Sequence, residues 1–470
     1  MIDDGTLTAE ARVVSLDGRR FQFSGPLEPG FEPGGFVTLR PASGALQLGQ
    51  VEDVAFTIDG DVHGGGRLLG AIPADGGAPD SRLSVPFPAA AMRPAAASMI
   101  AGLYDGAAAS LDIGSHLVAG DVPAHLLPRR LNRHTFWCGQ SGSGKTYALG
   151  VLLEQILLRT ALPMVIFDPN ADFVRMRESD GGSAPSAAQR LLADRDIRIL
   201  RPTADGADAL RVRFVDLPIQ SRAAVLRLHP LDDRAEYNEL VRLEETVGTL
   251  DSHAVVPRLL ERGTPAALDL AARIQNLGLI DWNVWGQGSE PVTGVIDSRP
   301  DATVLDLGGF AAPDEPLVVA LAVLDDLWAQ RERRRPILIV IDEAHNLCAP
   351  DGGSPLRALV RERIVQIAAE GRKFGLWLLL STQRPSRVDS SILSQCDNLA
   401  LMKMTSAVDL DDLARTFGFV PAGILARATG FRQGEALFAG GFAPAPSVVR
   451  VGARLTREGG ADVPVPVRGE

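Results

Sequence analysis

One stretch constrains this chain more than any other: Gly139-Gln-Ser-Gly-Ser-Gly-Lys-Thr146. It fits the pattern G-x-x-x-x-G-K-[ST] in full. The apolar run at 135–138 precedes it, and residues 147–159 follow with Leu149, Leu152, Leu153, Ile156 and Leu157 on one helical face. A strand, a glycine-rich turn and a helix N-terminus in succession present backbone N–H groups to an anion. Glycine is needed where the backbone curls close around phosphate oxygens, because a Cβ would fill that space. Gly139, Gln140, Ser141, Gly142, Ser143, Gly144, Lys145, Thr146 and Tyr147 therefore read as a cradle for ATP. Lys145 is expected to bridge the β- and γ-phosphates, and the Thr146 hydroxyl to bind Mg²⁺. The alternative is a chance glycine-rich turn. Lysine occurs in this chain only at 145, 373 and 403, which makes an accidental match a poor explanation.

A second element lies well downstream, at Ile337-Leu-Ile-Val-Ile-Asp-Glu-Ala-His345. An apolar run ending in paired carboxylates is a buried strand that delivers charge to its C-terminal tip, where open α/β sheets place ligands. By itself it is equally a plain strand end. Together with the phosphate loop it reads as a Walker B motif, with Asp342 holding Mg²⁺ and Glu343 orienting and deprotonating the attacking water. In Leu378-Leu-Leu-Ser-Thr-Gln-Arg-Pro385, a polar residue at the end of a further strand suits a γ-phosphate sensor, and Gln383 is assigned that role against the alternative of a loop-closing glutamine. Ahead of it stands Ala369-Glu-Gly-Arg-Lys-Phe-Gly375. Phosphoryl transfer spreads negative charge over the equatorial oxygens, and an arginine from a neighbouring subunit stabilises it. Arg372 is the candidate, against the alternative of a cation at a helix C-terminus.

The organisation agrees with a large α/β protein. At 470 residues, more than one domain is expected. Residues 1–85 alternate in short stretches, such as Ala11-Arg-Val-Val-Ser15, Arg20-Phe-Gln-Phe-Ser24 and Gly35-Phe-Val-Thr-Leu-Arg40, with Gly, Pro and Asp turns between them. That pattern predicts a small β-barrel, since closure removes exposed edges. Residues 86–110, rich in Ala and Pro, read as a linker with some helix. From 111 to 450, apolar runs alternate with amphipathic segments, the signature of a parallel sheet wrapped by helices. Buried strands are expected at 135–138, 164–167, 197–200, 303–307, 337–341, 376–380 and 399–402. A helical insertion is expected at about 217–290, from helices near 222–228, 234–249 and 265–277. A hairpin closes the domain, and 451–470 form an extended arm.

Composition removes other classes. No uninterrupted apolar run is long enough for a membrane helix, and the opening Met-Ile-Asp-Asp-Gly lacks the regions of a secretory signal, so a cytoplasmic location and no membrane partner are expected. Cys138, Cys348 and Cys396 have neither disulfide nor zinc spacing. A formal net charge of −11 argues against a uniformly basic, DNA-coating surface, though not against a basic channel formed on assembly.

Taken together, the motifs resemble the HerA family within the wider group that includes FtsK-type translocases. The residues that carry the resemblance are 132–146, Phe167-Asp-Pro-Asn-Ala-Asp172, Val304-Leu-Asp-Leu-Gly308, 341–347, Glu370-Gly-Arg-Lys-Phe-Gly375 and Ser381-Thr-Gln-Arg-Pro385. The resemblance implies a RecA-like core with an inserted helical bundle and a homohexameric ring around double-stranded DNA. ATP would lie between subunits, with Arg372 acting across the interface and Arg133 contacting nucleotide there. Relatives work with a partner nuclease or, in antiphage systems, an effector enzyme; no such motif is seen in this chain. The sequence departs from the family at Asn170 and Ala171, and the loop at Asp351-Gly-Gly-Ser is undistinguished. Arg175 and Arg177 are either pore residues contacting phosphates or solvated surface.

The leading expectation is a DNA-translocating ATPase. A ring scaffold that uses nucleotide binding to regulate a partner effector is the second, and a conjugation or secretion ATPase the third. An ABC-type subunit is excluded, because the Leu-Ser-Gly-Gly-Gln signature is missing.

Overall fold

The computed structural model describes residues 11–26, 31–42, 44–56, 61–73, 77–120, 122–181, 185–246, 252–286, 290–350 and 353–460. The loop residues 351 and 352, and residues 461–470 of the arm expected at 451–470, lie outside them.

Six strands come first: β1 (Arg12–Ser15), β2 (Arg20–Gly25), β3 (Phe36–Pro41), β4 (Gln47–Phe56), β5 (Val62–Ala71) and β6 (Phe87–Pro94). They form a closed barrel in the order β1-β2-β5-β4-β3-β6. Alternation sends Phe21, Phe23, Val37, Leu39 and Val51 inward with Phe31, Phe87 and Met92. Gly66 in β5 has to be glycine: a Cβ there would lie 2.2 Å from the Gln50 carbonyl oxygen and 2.5 Å from the Phe21 ring. The barrel does not end at residue 85 as read from the sequence. β6 pairs with both β1 and β3 and closes the cylinder from within the stretch taken for a linker. Its inward residues, Phe87 and Met92, are separated by alanines that give no alternation, and prolines flank them.

The chain continues through α1 (Ala97–Gly106), β7 (Leu111–His116), β8 (Pro123–Leu126), β9 (His134–Cys138), α2 (Lys145–Arg159), β10 (Met164–Asp168), α3 (Ala187–Ala193) and β11 (Ile197–Leu200). Helices α4 (Ile219–Val225), α5 (Arg234–Thr246), α6 (Ser252–Arg262), α7 (Pro265–Asn276) and α8 (Val292–Asp297) follow. Then come β12 (Ala302–Asp306), α9 (Glu315–Ala329), β13 (Ile337–Ile341), α10 (Pro355–Glu370), β14 (Leu376–Thr382), α11 (Ser390–Leu393), β15 (Cys396–Met402), α12 (Ala407–Thr416), α13 (Ala422–Ala426), β16 (Glu435–Gly440) and β17 (Ser447–Val451). An α/β core with inserted helices, preceded by a β-barrel, is thus what the chain folds into. Each of the seven expected buried strands is present.

The chain divides into two compact units, one of residues 1–131, 137–159 and 397–454, the other of 132–136, 160–396 and 455–470. In the second unit β11, β12, β10, β13 and β14 are parallel neighbours in that order. β10 and β13 are buried along their whole length, which explains their unbroken apolar runs. The helices at 217–290 include α6, whose helical periodicity is interrupted in the sequence by Pro257 in its interior. Asp325 on α9 ties three helices of this unit: it accepts from Ser221 Oγ of α4 at 2.6 Å and from Arg363 Nε of α10 at 2.7 Å.

In the first unit β15, β16, β17, β7 and β8 pair antiparallel in succession, so the parallel pattern does not extend here; the expected closing hairpin is β16–β17, and a second short turn joins β7 to β8. The β16–β17 hairpin also meets the barrel. Gln50 Nε2 donates to the Pro446 carbonyl at 2.6 Å, and the Tyr104 and Ser447 hydroxyls lie 2.5 Å apart. His116 of β7 is buried, with Phe36 and Tyr104 edge-on at 5.5 and 5.1 Å.

Candidate functional site

The phosphate-loop sequence forms the turn between β9 and α2. Gly142 and Gly144 adopt φ of +75° and +87°, which a side chain would strain. A Cβ on Gly139 would lie 2.7 Å from Met402 Cβ and 2.8 Å from Ser143 Oγ. The loop is fixed from outside. Gln140 N donates to the Lys403 carbonyl at 2.9 Å, Thr405 Oγ1 donates to Gln140 Oε1 at 2.9 Å, and Gly434 N donates to the Ser143 carbonyl at 3.0 Å. Ser141 and Gly142 are exposed at the tip, Lys145 is buried in the first turn of α2, and Thr146 is half-buried. Tyr147 is exposed, its hydroxyl accepting from Arg454 N at 2.7 Å. The Ser143 hydroxyl is buried and has no hydrogen-bond partner among the described residues. A helix N-terminus with a buried ammonium, an unsatisfied hydroxyl and open space beside Gly142 suits a polyphosphate.

In the second unit three neighbouring parallel strands end in carboxylates: β12 in Asp306, β10 in Asp168, and β13 running into Asp342. Burial pushes the Asp168 carboxyl up to about 7, although it accepts from the backbone N–H of Asp172 at 2.9 Å and of Phe173 at 2.7 Å. Asp168 thereby shapes the loop that contains Asn170 and Ala171, and Ala171 stands at φ +60°. Burial also raises the Asp306 carboxyl. Asp342 is 2% exposed, and its amide donates to the Phe167 carbonyl at 3.1 Å.

Glu343 is buried just past the strand tip at φ +44°, a backbone region that glutamate seldom occupies. Gln383, at the end of β14, donates from Nε2 to Glu343 Oε1 at 2.8 Å. The structure therefore brings together Glu343 and Gln383, which the sequence singled out separately. It adds two residues that sequence reasoning gave no role. His345 Nδ1 lies 3.2 Å from Glu343 Oε2 and 3.0 Å from Thr382 Oγ1. Both stood inside quoted motifs, but no local pattern announced that they meet.

Arg372 lies in a short 3-10 turn, Gly371–Phe374, at the end of α10. Gly375 at φ +85° closes the turn, and Arg372 is half-buried. Arg133 directly precedes β9 and is also half-buried. Arg175 is half-buried and pairs with Glu178 at 2.6 Å, whereas Arg177 is exposed and donates from Nε to the Ile197 carbonyl at 2.5 Å. Among the described residues no cluster of three or more His, Cys, Asp or Glu side chains is arranged for a metal ion. No described helix is long and apolar enough to cross a membrane.

Residues 111–264 match the family model described as helicase HerA, central domain. That span holds the phosphate loop and stops short of β13 and β14. A probable helicase of Methanocaldococcus jannaschii is 33% identical over 150 residues, 31% of this chain and 28% of the relative. The DNA double-strand break repair helicase HerA of Sulfurisphaera tokodaii is 34% identical over 116 residues, 25% of this chain and 23% of the relative. The chain thus spans under a third of the length of these curated relatives. Among solved structures, VirB4 of Thermoanaerobacter pseudethanolicus aligns over 73% of this chain and 97% of its own, at 16% identity and a TM-score of 0.49.

Proposed function

Taking the chain as a P-loop ATPase of the HerA type, we propose that it hydrolyses ATP and uses the energy to move along double-stranded DNA as a homo-oligomeric ring. The observation that carries this reading is the pairing of Glu343 with Gln383 at 2.8 Å, a buried carboxylate at a strand tip joined to a neutral amide on the next strand. With Lys145 and Thr146 at the head of α2, these residues make up the parts that phosphoryl transfer to water needs.

Each residue then has a defined task. The loop amides from Gly139 to Thr146 and the Lys145 ammonium hold the phosphates. The Thr146 hydroxyl and the Asp342 carboxylate are oxygen donors of the kind Mg²⁺ takes, with the remaining positions left to phosphate and water. A magnesium ion held by Thr146 and Asp342 would supply positive charge against the phosphates. Glu343 accepts the proton of the attacking water. Its hydrogen bond to Gln383 makes the carboxylate's position sensitive to what occupies the γ-phosphate site. Arg372 serves the nucleotide of the adjacent subunit, and Arg133 lies at the same interface. Six subunits, duplex DNA as the track, and a partner nuclease or effector enzyme follow from the HerA likeness and belong to this proposal.

The test is ATP turnover with and without duplex DNA. Stimulation by duplex, abolished in Lys145→Ala and Glu343→Gln, supports the motor. A rate indifferent to DNA in the assembled particle refutes it. The net charge of −11 favours a second reading, a nucleotide-binding ring that regulates a partner effector without processive movement. Co-purification of a stoichiometric partner whose activity depends on the ring, without translocation, selects that reading.

A further inference from the structure

His134, the first residue of β9, is completely buried, yet both of its ring nitrogens are used. Nδ1 accepts from the backbone N–H of Leu378 at 2.9 Å. An amide N–H can only donate, so Nδ1 must carry the lone pair and the ring proton resides on Nε2. Nε2 then donates to the Ala368 carbonyl at 3.0 Å. The imidazole is therefore a neutral strut of fixed tautomer, and the three segments it joins are informative. β9 runs directly into Gly139. Leu378 lies in β14, which ends beside Gln383. Ala368 lies in the last turn of α10, immediately before the turn that carries Arg372.

That turn has little freedom elsewhere. A Cβ on Gly371 would meet the Leu376 carbonyl oxygen at 2.9 Å and Ile367 Cγ2 at 3.0 Å. Phe374 packs edge-on against Trp328 with ring centroids 6.0 Å apart, and Trp377 Nε1 donates to the Arg372 carbonyl at 3.4 Å. These contacts fix the far side of the turn, and His134 fixes the helix that feeds it.

We propose that His134 is a positioning residue that holds the end of α10 so that Arg372 is presented to the neighbouring subunit's nucleotide. The proposal rests on the reading of Arg372 as an arginine that acts across the interface. Neutrality is part of the design. Burial, followed by the nearby Arg372 guanidinium, lowers the His134 pKa to about 4, so the ring itself adds no positive charge beside Arg372 at neutral pH.

The experiment mixes subunits of the full chain. His134→Leu removes both hydrogen bonds and should lower kcat about tenfold or more, a loss of one or two hydrogen bonds' worth of positioning, with nucleotide affinity within about threefold of the parent. Mixed with Lys145→Ala, whose own site is dead but whose Arg372 is intact, it should regain turnover, because its phosphate loop receives a well-placed arginine from the neighbour. Mixed with Arg372→Ala, it should regain none, since both variants lack the same presented group. His134→Asn keeps an acceptor for the Leu378 amide and loses the Ala368 bond, and the same mixing read on it is free of any folding defect in the leucine variant. Weakened nucleotide binding without recovery on mixing, or recovery with Arg372→Ala, overturns the proposal. The underlying reading fails separately: Arg372→Ala mixed with Lys145→Ala would then show no recovery either.

Discussion

His116 should make the protein acid-sensitive, by an amount that can be worked out in advance. Its ring sits between Phe36 and Tyr104, and neither nitrogen has a hydrogen-bond partner among the described residues. Burial, and to a lesser degree His125, lowers its pKa from 6.5 to about 4. Above pH 6.5 neither the folded nor the unfolded chain binds the proton, and the contribution is level. Between 6.5 and 4 the unfolded chain binds it and the folded one does not, so stability falls as pH falls. At pH 5 these two values give a loss of about 2 kcal/mol relative to neutral pH. His116→Phe keeps an aromatic ring in the same box and removes the titration. Urea unfolding of both proteins at pH 7.5 and 5.0, in EDTA and without nucleotide, isolates the effect as a difference of differences. Trp137 is a convenient reporter, as the one tryptophan in the same compact unit. His134 titrates in the same direction, but it is common to both proteins and cancels. Equal losses in the parent and His116→Phe would refute the reasoning.

Further outcomes follow from the same geometry. Arg363→Met leaves Asp325 buried with only the Ser221 hydroxyl donating to it, and should cost about 3–5 kcal/mol in chemical denaturation. Gly139→Ala forces a Cβ against Met402 and Ser143, and that overpacking, about 1–3 kcal/mol, should appear as roughly tenfold weaker binding of a fluorescent ATP analogue. Glu343→Gln should retain nucleotide affinity while single-turnover hydrolysis falls by about 10²-fold or more, separating binding from proton transfer.

The parts of this protein that were legible in its sequence are those whose cause is local. The phosphate loop is a run of adjacent residues whose types are dictated by backbone shape, and its flanking strand and helix carry ordinary periodicity. β13 was legible because burial on both faces demands an unbroken apolar run. β6 was missed because alanine fills most of its positions and proline flanks its inward residues, so composition spoke for a linker while pairing with β1 and β3 decided otherwise. α6 was hidden by Pro257, and β7 and β8 by having polar and glycine residues in place of an apolar run. Contacts across long sequence separations left no trace. The bonds of His134 reach residues 234 and 244 positions away, and His345 finds Thr382 across 37. Chemistry-bearing residues could be named one by one, but not the company they keep.

The β16–β17 hairpin has a mechanical consequence. At its base, Gly434 is bonded to the carbonyl of Ser143 in the phosphate loop; at its tip, Pro446 receives Gln50 of the barrel and Ser447 meets Tyr104. One two-stranded ribbon thus touches both the loop at 139–146 and the N-terminal barrel. Any displacement of the loop at 139–146 therefore has a hydrogen-bonded route to the barrel.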